Sequence, residues 1–159
     1  MFNPVFLGID IGTSGIRASC INIDEQELIS HNIAFKTRLP VQGKNEQNPG
    51  DWLQLLDELL IEISEQLKKL DSNYRINAIS IDGTSGTLIA CRKNGTALSP
   101  ALMYNDQQSQ QQAELISHFA PVESAVHGAS SSLAKALSLM AEYLCLWIFF
   151  QQVQRFGQR

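Results

Sequence analysis

The sequence predicts an α/β fold in which helices pack on a mixed β-sheet. Two short apolar runs, residues 5–11 and 76–82, have the length and composition of buried strands. Two further stretches alternate apolar and polar residues, as the strands of an antiparallel meander do. One long amphipathic helix separates the first strands from the later ones, and a crossing helix of this kind is typical of α/β folds.

Three strands are predicted before the helix. The apolar run VFLGIDI, residues 5–11, leads into a tight turn from Gly12 to Gly15. Residues 16–23 and 27–36 alternate in polarity, and the polar residues 24–26 are suited to the turn between them. We therefore expect an antiparallel meander at the start of the chain.

A helix is predicted to begin at Pro49, the first helical position that proline favours. Asn48 is suited to the N-cap, and Asp51 lies in the first turn, where the helix dipole favours a carboxylate. Lys68 and Lys69 lie near the other end, where the dipole favours cations. The apolar residues that share one helical face are Trp52, Leu55, Leu56, Leu59, Ile63, Leu67 and Leu70.

The second half of the chain is predicted to return to strands and then to become helical. The buried strand over residues 76–82 leads into a turn from Gly83 to Gly86, and residues 87–92 run back as a further strand. Asp106 is suited to cap a Gln-rich helix, and a last helix is predicted to begin near Ser130–Ser132.

Composition and charge exclude several classes of protein. Hydrophobic residues make up 44% and charged residues 18%, which is an ordinary globular composition. The net charge is −4 without a Lys/Arg cluster, so we expect no nucleic-acid partner. We also expect no membrane partner and no signal peptide, since the apolar stretches are short and the N-terminus lacks a basic region. The widely spaced Cys20, Cys91 and Cys145 predict reduced thiols in a cytoplasmic protein, the first two buried.

The same turn sequence, GTSG, occurs twice, and each copy closely follows an aspartate that ends an apolar run, Asp10 or Asp82. The backbone N–H groups and hydroxyls of such a turn can bind phosphate oxygens, because small residues let an anion approach the backbone. The aspartate offers a hard oxygen of the kind Mg²⁺ prefers. The alternative is a tight hairpin with a structural aspartate, and two copies between buried strands weaken that alternative. The sequence contains no P-loop and no dinucleotide-binding fingerprint.

The segment GIDIGTSGIRA resembles the first phosphate-binding hairpin of the FGGY carbohydrate kinases, which share the ribonuclease H-like fold of actin and hexokinase. Four later segments are similar to segments of that family in the same order: EQNPGDW, AISIDGTSGT, LSPALMYNDQQS and GASSSLAKAL. The resemblance covers about residues 5–137 and is closest to the ribulokinase and xylulokinase-like branch. It implies a mixed sheet with flanking helices, the N-terminal half of that fold.

The resemblance also implies an activity, ATP-dependent phosphorylation of a sugar, with a ketopentose such as D-ribulose or D-xylulose as the substrate. ATP and Mg²⁺ are the implied cofactors. Asp10 is expected near the metal, and Gly12, Thr13 and Ser14 are expected to bind the phosphates. The residues expected to line the sugar site are Asp82, Gly83, Thr84, Ser85, Asn105 and Asp106. A carboxylate such as Asp106 can accept hydrogen bonds from paired hydroxyls, and this role does not exclude the helix cap.

The sequence departs from the family pattern in its second part. The family's catalytic base, in a GGxDN-type segment, and its adenine-binding segments do not occur, so we expect a truncated kinase with no catalytic base of its own. The pattern ends after Leu137, which divides the chain into a sugar-side domain, residues 1–137, and a divergent tail, residues 138–159.

The tail contains the apolar stretch YLCLWIFF. A frameshift or premature end is the simpler explanation of this stretch, and a buried partner surface is the alternative. We expect self-association through the tail, or binding of a missing second half. The alternative function is a non-catalytic sugar- or nucleotide-binding module that a separate second half completes.

Overall fold

The computed structural model of the protein describes residues 2–36 and 42–143. The chain divides into two compact units. The first, which we call the sheet unit, consists of Met1–Leu39 and Asn48–Thr84, and the second, the helical unit, consists of Pro40–Gln47 and Ser85–Arg159. No helix in the described part of the chain is long and apolar enough to cross a membrane.

The strands and helices of the described residues follow one another in an order close to the predicted one. In chain order they are β1 Asn3–Ile11, β2 Gly15–Asn22, β3 Glu27–Ala34, β4 Glu46–Gln47, α1 Pro49–Leu70, β5 Tyr74–Gly83, β6 Ala101–Leu102, α2 Gln110–Ser117 and α3 over residues 132–143. The YLCLWIFF stretch beyond Tyr143, with Cys145, lies outside the described residues.

The sheet unit contains a four-stranded mixed sheet with the order β3-β2-β1-β5. The first three strands form the predicted antiparallel meander. The fourth strand pairs with β1 in parallel, which requires a crossover connection, and α1 lies within that connection. The predicted mixed sheet with a crossing helix is therefore confirmed.

The core of the sheet unit lies between one face of the sheet and α1. Asn48 caps α1 as predicted, because its side chain accepts a hydrogen bond from the Gly50 N–H. Leu70, the last residue of the apolar face, is 57% exposed, since the helix ends there and the backbone becomes extended at Asp71. Burial raises the pKa of the Cys20 thiol, which keeps it protonated. The buried core residues are Val5, Leu7, Ile9, Ile16, Ala18, Cys20, Ile29, Leu59, Ile63 and Leu67.

Strand β5 forms as predicted, but the prediction that it is buried is wrong. Ile79 and Ile81 are 53% and 58% exposed, although they pair in register with the buried Leu7 and Ile9 of β1. Helix α1 packs against β2 and β3 and leaves β5 uncovered. Within residues 2–36 and 42–143, no further strand pairs along the outer edge of β5.

The helical unit has little regular sheet. Strands β4 and β6 pair antiparallel over two residues each. The strand predicted over residues 87–92 is not formed, because isolated bridges from Leu88 to Leu102 and from Cys91 to Ala97 replace a continuous ladder. Cys91 is exposed, so the predicted burial of its thiol is also wrong. A small apolar cluster of Ala113, Ile116 and Ala134 joins α2 to α3.

Candidate functional site

The two aspartates that precede the GTSG turns lie next to each other in the sheet. Asp10 on β1 and Asp82 on β5 are direct partners in the parallel register. Neighbouring strands are about 4.8 Å apart, and paired residues project to the same face. Because Ile9 points into the core, its neighbour Asp10 lies on the face opposite α1. The fold therefore places two carboxylates together at the ends of two parallel strands.

Arg17, on a third strand, lies beside this pair of carboxylates and forms a row of three charged side chains with them. It pairs with Asp10 across β1 and β2, and its Nε lies 3.9 Å from Asp10 Oδ2. Both side chains are at least half exposed, at 66% for Arg17 and 50% for Asp10. An exposed ion pair at this distance contributes little to folding stability, because solvent screens the charges. The row Asp82–Asp10–Arg17 is therefore accessible to a ligand.

A cleft of about 420 Å³ lies over the row. Its volume falls within the roughly 300–1,000 Å³ range of small-molecule sites. Gly8 pairs with Ser19 on one side and with Ser80 on the other. These small residues form the floor of the cleft and leave room beside the carboxylates. The lining residues are Gly8, Ile9, Asp10, Arg17, Ala18, Ser19, Ser30, Ser80 and Asp82.

The donor set of the cleft fits Mg²⁺. Like charges on adjacent strands repel each other, so a cation between Asp10 and Asp82 would relieve that repulsion. Mg²⁺ usually reaches a protein through one or two carboxylates and keeps several waters or phosphate oxygens. Among the described residues no group of three His, Cys, Asp or Glu side chains could hold a metal, so protein ligands would fill only part of the Mg²⁺ shell.

The first GTSG turn projects from the end of β1 beside Asp10. The Gly12 N–H donates to the Gly15 carbonyl at 3.0 Å and closes the turn. A Cβ on Gly12 would lie 3.8 Å from Asp10 Oδ2, so glycine keeps the approach to the carboxylate open. Thr13 and Ser14 are exposed at the tip of the turn. The exposed tip is thus accessible to a phosphate, and the Gly12 N–H is bonded within the turn.

The second GTSG turn begins in the sheet unit and is bound to the end of β1. The Thr84 N–H donates to the Ile11 carbonyl at 3.3 Å. The Gly83 N–H donates to Asp82 Oδ1 at 2.8 Å, which orients that carboxylate. Asp82, Gly83 and Thr84 therefore belong to the same unit as the first turn, whereas Ser85 belongs to the helical unit.

Asp106 is fully buried in the helical unit. Its carboxylate accepts hydrogen bonds from the Asn45 N–H at 2.7 Å, the Gln108 N–H at 3.0 Å and Gln108 Nε2 at 2.9 Å. The prediction that it caps the Gln-rich helix is wrong, because Ser109 is the N-cap residue of α2. Asp106 instead holds its own loop in place through these hydrogen bonds, and its neighbour Asn105 is exposed.

Sequence reasoning missed Lys135 on α3. Its side chain is completely buried, and its Nζ donates to backbone carbonyls of the loops that contain Ser85 and Asn105. Burial lowers the pKa of Lys135 below its ordinary value, and the negative charge of Asp106 opposes part of this shift. The residue lies in the segment GASSSLAKAL, but a lysine on a helix carries no sequence signal of burial.

The chain matches the N-terminal domain of the FGGY family of carbohydrate kinases over residues 5–148. The xylulose kinase of Lactococcus lactis subsp. lactis is 26% identical over 110 residues, which cover 69% of this chain and 22% of that protein. The xylulose kinase of Staphylococcus xylosus is 28% identical over 111 residues, which cover 68% of this chain and 22% of that protein. The chain therefore spans less than a quarter of the length of these relatives.

Solved structures of sugar kinases have the same fold. The glycerol kinase of Plasmodium falciparum with ADP superposes with a TM-score of 0.70 at 20% identity, over 87% of this chain and 29% of that chain. The xylulose kinase of Rhodospirillum rubrum superposes with a TM-score of 0.67 at 18% identity, over 75% of this chain and 24% of that chain. The predicted actin- and hexokinase-type fold is confirmed, and the chain belongs to the FGGY family of carbohydrate kinases, corresponding to its N-terminal domain.

Proposed function

We propose that the chain is the N-terminal part of a kinase that transfers a phosphoryl group from ATP to a ketopentose, with D-xylulose as the first candidate. The observation that carries the proposal is the row of Asp82, Asp10 and Arg17 beside the first GTSG turn. Phosphoryl transfer depends chiefly on positioning and charge stabilisation, and this row offers two carboxylates for a metal and one cation. Relatives named xylulose kinase support the choice of sugar.

In this proposal the first turn binds the phosphates of ATP. The exposed Thr13 and Ser14 donate hydrogen bonds to phosphate oxygens, and Gly12 lets the nucleotide approach Asp10. Asp10 holds Mg²⁺ directly or through water, and bound Mg²⁺ supplies positive charge that neutralises the phosphates. Arg17 orients the Asp10 carboxylate through their ion pair.

Residues of the second turn bind sugar hydroxyls in this proposal, and the exposed Asn105 of the helical unit is a further candidate for sugar binding. Asp82 is oriented by its bond to the Gly83 N–H, so one carboxylate oxygen remains for a sugar hydroxyl or for the metal shell. The burial of Asp106 suggests an indirect role, in which this residue holds Asn105 in place. The base that accepts the proton of the sugar hydroxyl is expected outside this chain, which on its own is therefore expected to be inactive.

The test joins this chain to the part of the Lactococcus lactis xylulose kinase that follows the matched region, and measures ADP release with D-xylulose and D-ribulose. We expect turnover by the chimera and none above background by this chain alone. Asp10→Asn in the chimera should lower kcat by about 100-fold or more, the scale for losing one preorganised charge-stabilising group. The melting temperature should not change. The control variant is Asp24→Asn, in the exposed turn between β2 and β3, which should retain full activity.

Two results would contradict the proposal. One is turnover of about 1 per second by this chain alone, an ordinary rate for a kinase. The other is a chimera whose activity survives Asp10→Asn while its melting temperature falls, because Asp10 would then be structural. Binding of ATP or D-xylulose by a folded chimera that never turns over would favour the non-catalytic binding module.

A further inference from the structure

Within the helical unit, we propose that Lys135 is a positioning residue. It holds two segments in one fixed arrangement: the end of the second GTSG turn at Gly86, and the loop Met103–Asp106. The proposal rests on the proposed sugar-kinase function and deepens it, because Ser85 and Asn105, the sugar-lining candidates of this unit, lie on these two segments. Lys135 itself touches neither a sugar nor ATP in this proposal, so it acts through the backbone that it binds.

The geometry of the ammonium group carries the inference. Lys135 Nζ donates to the carbonyl oxygens of Gly86 at 2.5 Å, Met103 at 2.9 Å and Tyr104 at 3.5 Å. An ammonium group has three donors, so these three carbonyls use its full hydrogen-bonding capacity. The acceptors come from two segments distant in sequence, and a single side chain from α3 joins them.

The burial of Lys135 argues against a role in stability alone. The side chain is 0% exposed, and transfer of an ammonium group from water to a protein interior costs free energy that paired carbonyls offset only in part. An apolar residue of similar length would avoid this cost. The negative charge of Asp106 raises the pKa of Lys135 against the effect of burial and so favours the charged form.

The two segments lie close together near Lys135, and the backbones of Leu88 and Leu102 exchange hydrogen bonds of 3.0 and 2.8 Å beside it. Gly86 has a φ of +74°, a conformation that glycine adopts without strain, and a Cβ there would lie 3.7 Å from Tyr104 Cβ. On the other side of the same loop, Asp106 is bound to the Asn45 N–H. The buried side chains of Lys135 and Asp106 therefore both bind this loop through hydrogen bonds, while Tyr104 and Asn105 on the loop remain exposed.

The first test measures backbone hydrogen exchange in the full chain for Lys135→Met, which keeps most of the length of the side chain and removes its three donors. We expect exchange at least tenfold faster in residues 84–87 and 103–108, with β1, β2 and α1 unchanged. Lys135→Arg, which keeps the charge and donors, should restore part of the protection. Lys93→Met replaces an exposed lysine of the same unit and should change nothing.

Unchanged exchange in both segments would overturn the proposal. Acceleration spread equally over the whole chain would overturn it too, because Lys135 would then only stabilise the fold. The hydrogen-exchange result tests the role of Lys135 whether or not the chain proves to be a kinase. Failure of the Lys135 proposal can therefore be told apart from failure of the proposed function.

The second test uses the chimera with the Lactococcus lactis remainder and separates the two substrates. We expect Lys135→Met to raise KM for D-xylulose about tenfold and to leave KM for ATP unchanged, because the proposal assigns sugar contacts to Ser85 and Asn105 on these segments and phosphate contacts to the first GTSG turn. An equal rise of both KM values, or none, would overturn the link to sugar binding. A wild-type chimera without turnover would count against the proposed function and not against the exchange result.

Discussion

Gly15 is the residue at which the first turn meets the third strand. A Cβ at Gly15 would lie 2.3 Å from the Ile33 carbonyl oxygen and 2.9 Å from Ala34 Cα, distances that only backbone movement could relieve. We expect Gly15→Ala to lower the free energy of unfolding by about 1–3 kcal/mol, the cost of overpacking a well-packed site. Urea denaturation followed by circular dichroism measures this change.

Gly12 provides the matched control, since it occupies the other end of the same GTSG turn. A Cβ there would have its nearest neighbour, the Gly15 carbonyl oxygen, at 3.5 Å, an ordinary contact. Gly12→Ala should therefore change the free energy of unfolding by less than about 1 kcal/mol. Equal losses in the two variants would contradict the packing of β3 against Gly15.

At the scale of single residues, the sequence identified Asp10, Asp82 and Asp106 as site candidates, but not the burial of Asp106 or of Lys135. Asp10 and Asp82 each stand beside a repeated turn, which is a local signal. The burial of Asp106 depends on Asn45, which is far away in the sequence, and therefore no local pattern could predict it. The burial of Lys135 likewise depends on carbonyls of two distant loops.

Helix α1 shows how a single element is held to the sheet. Leu59 is 0% exposed within the core, whereas Leu53 on the same helix is 65% exposed. Leu59→Ala should lower the free energy of unfolding by about 2–5 kcal/mol, because it removes buried methyl groups and leaves a cavity. Leu53→Ala should change it by no more than about 0.5 kcal/mol. Similar losses for the two variants in urea denaturation would contradict this placement of α1.

Most elements could be predicted because their signals are local. The N-cap Asn48, the proline that follows it and the spacing of apolar residues predict both the start and the buried face of α1. The exposure of β5 could not be predicted, because its isoleucines indicate an apolar strand but not whether another element covers it. Residues 87–92 have strand propensity, but only single bridges form there.

At the scale of the whole molecule, strand β5 is exposed within residues 2–36 and 42–143, and no strand of that part pairs with its outer edge. The chain matches an N-terminal domain and covers 22% of the length of each of two relatives. The self-association predicted for the tail stays a prediction, because the tail beyond Tyr143 lies outside the described residues. Strand β5, which is described, gives an independent reason to expect association.

We predict that the full chain self-associates at tens of micromolar through β5. Exposed edge strands offer free backbone hydrogen-bonding groups to another copy, and Ile79 adds an apolar side chain that is 53% exposed. Ile79→Lys should shift the chain toward the monomer in size exclusion coupled to light scattering, because a charge on an edge strand opposes pairing. Ile61→Lys, at a 61% exposed position on α1, should leave the association unchanged. A monomeric wild-type chain would contradict the prediction, and an equal effect of the two lysines would mean that general charge, and not the β5 edge, controls association.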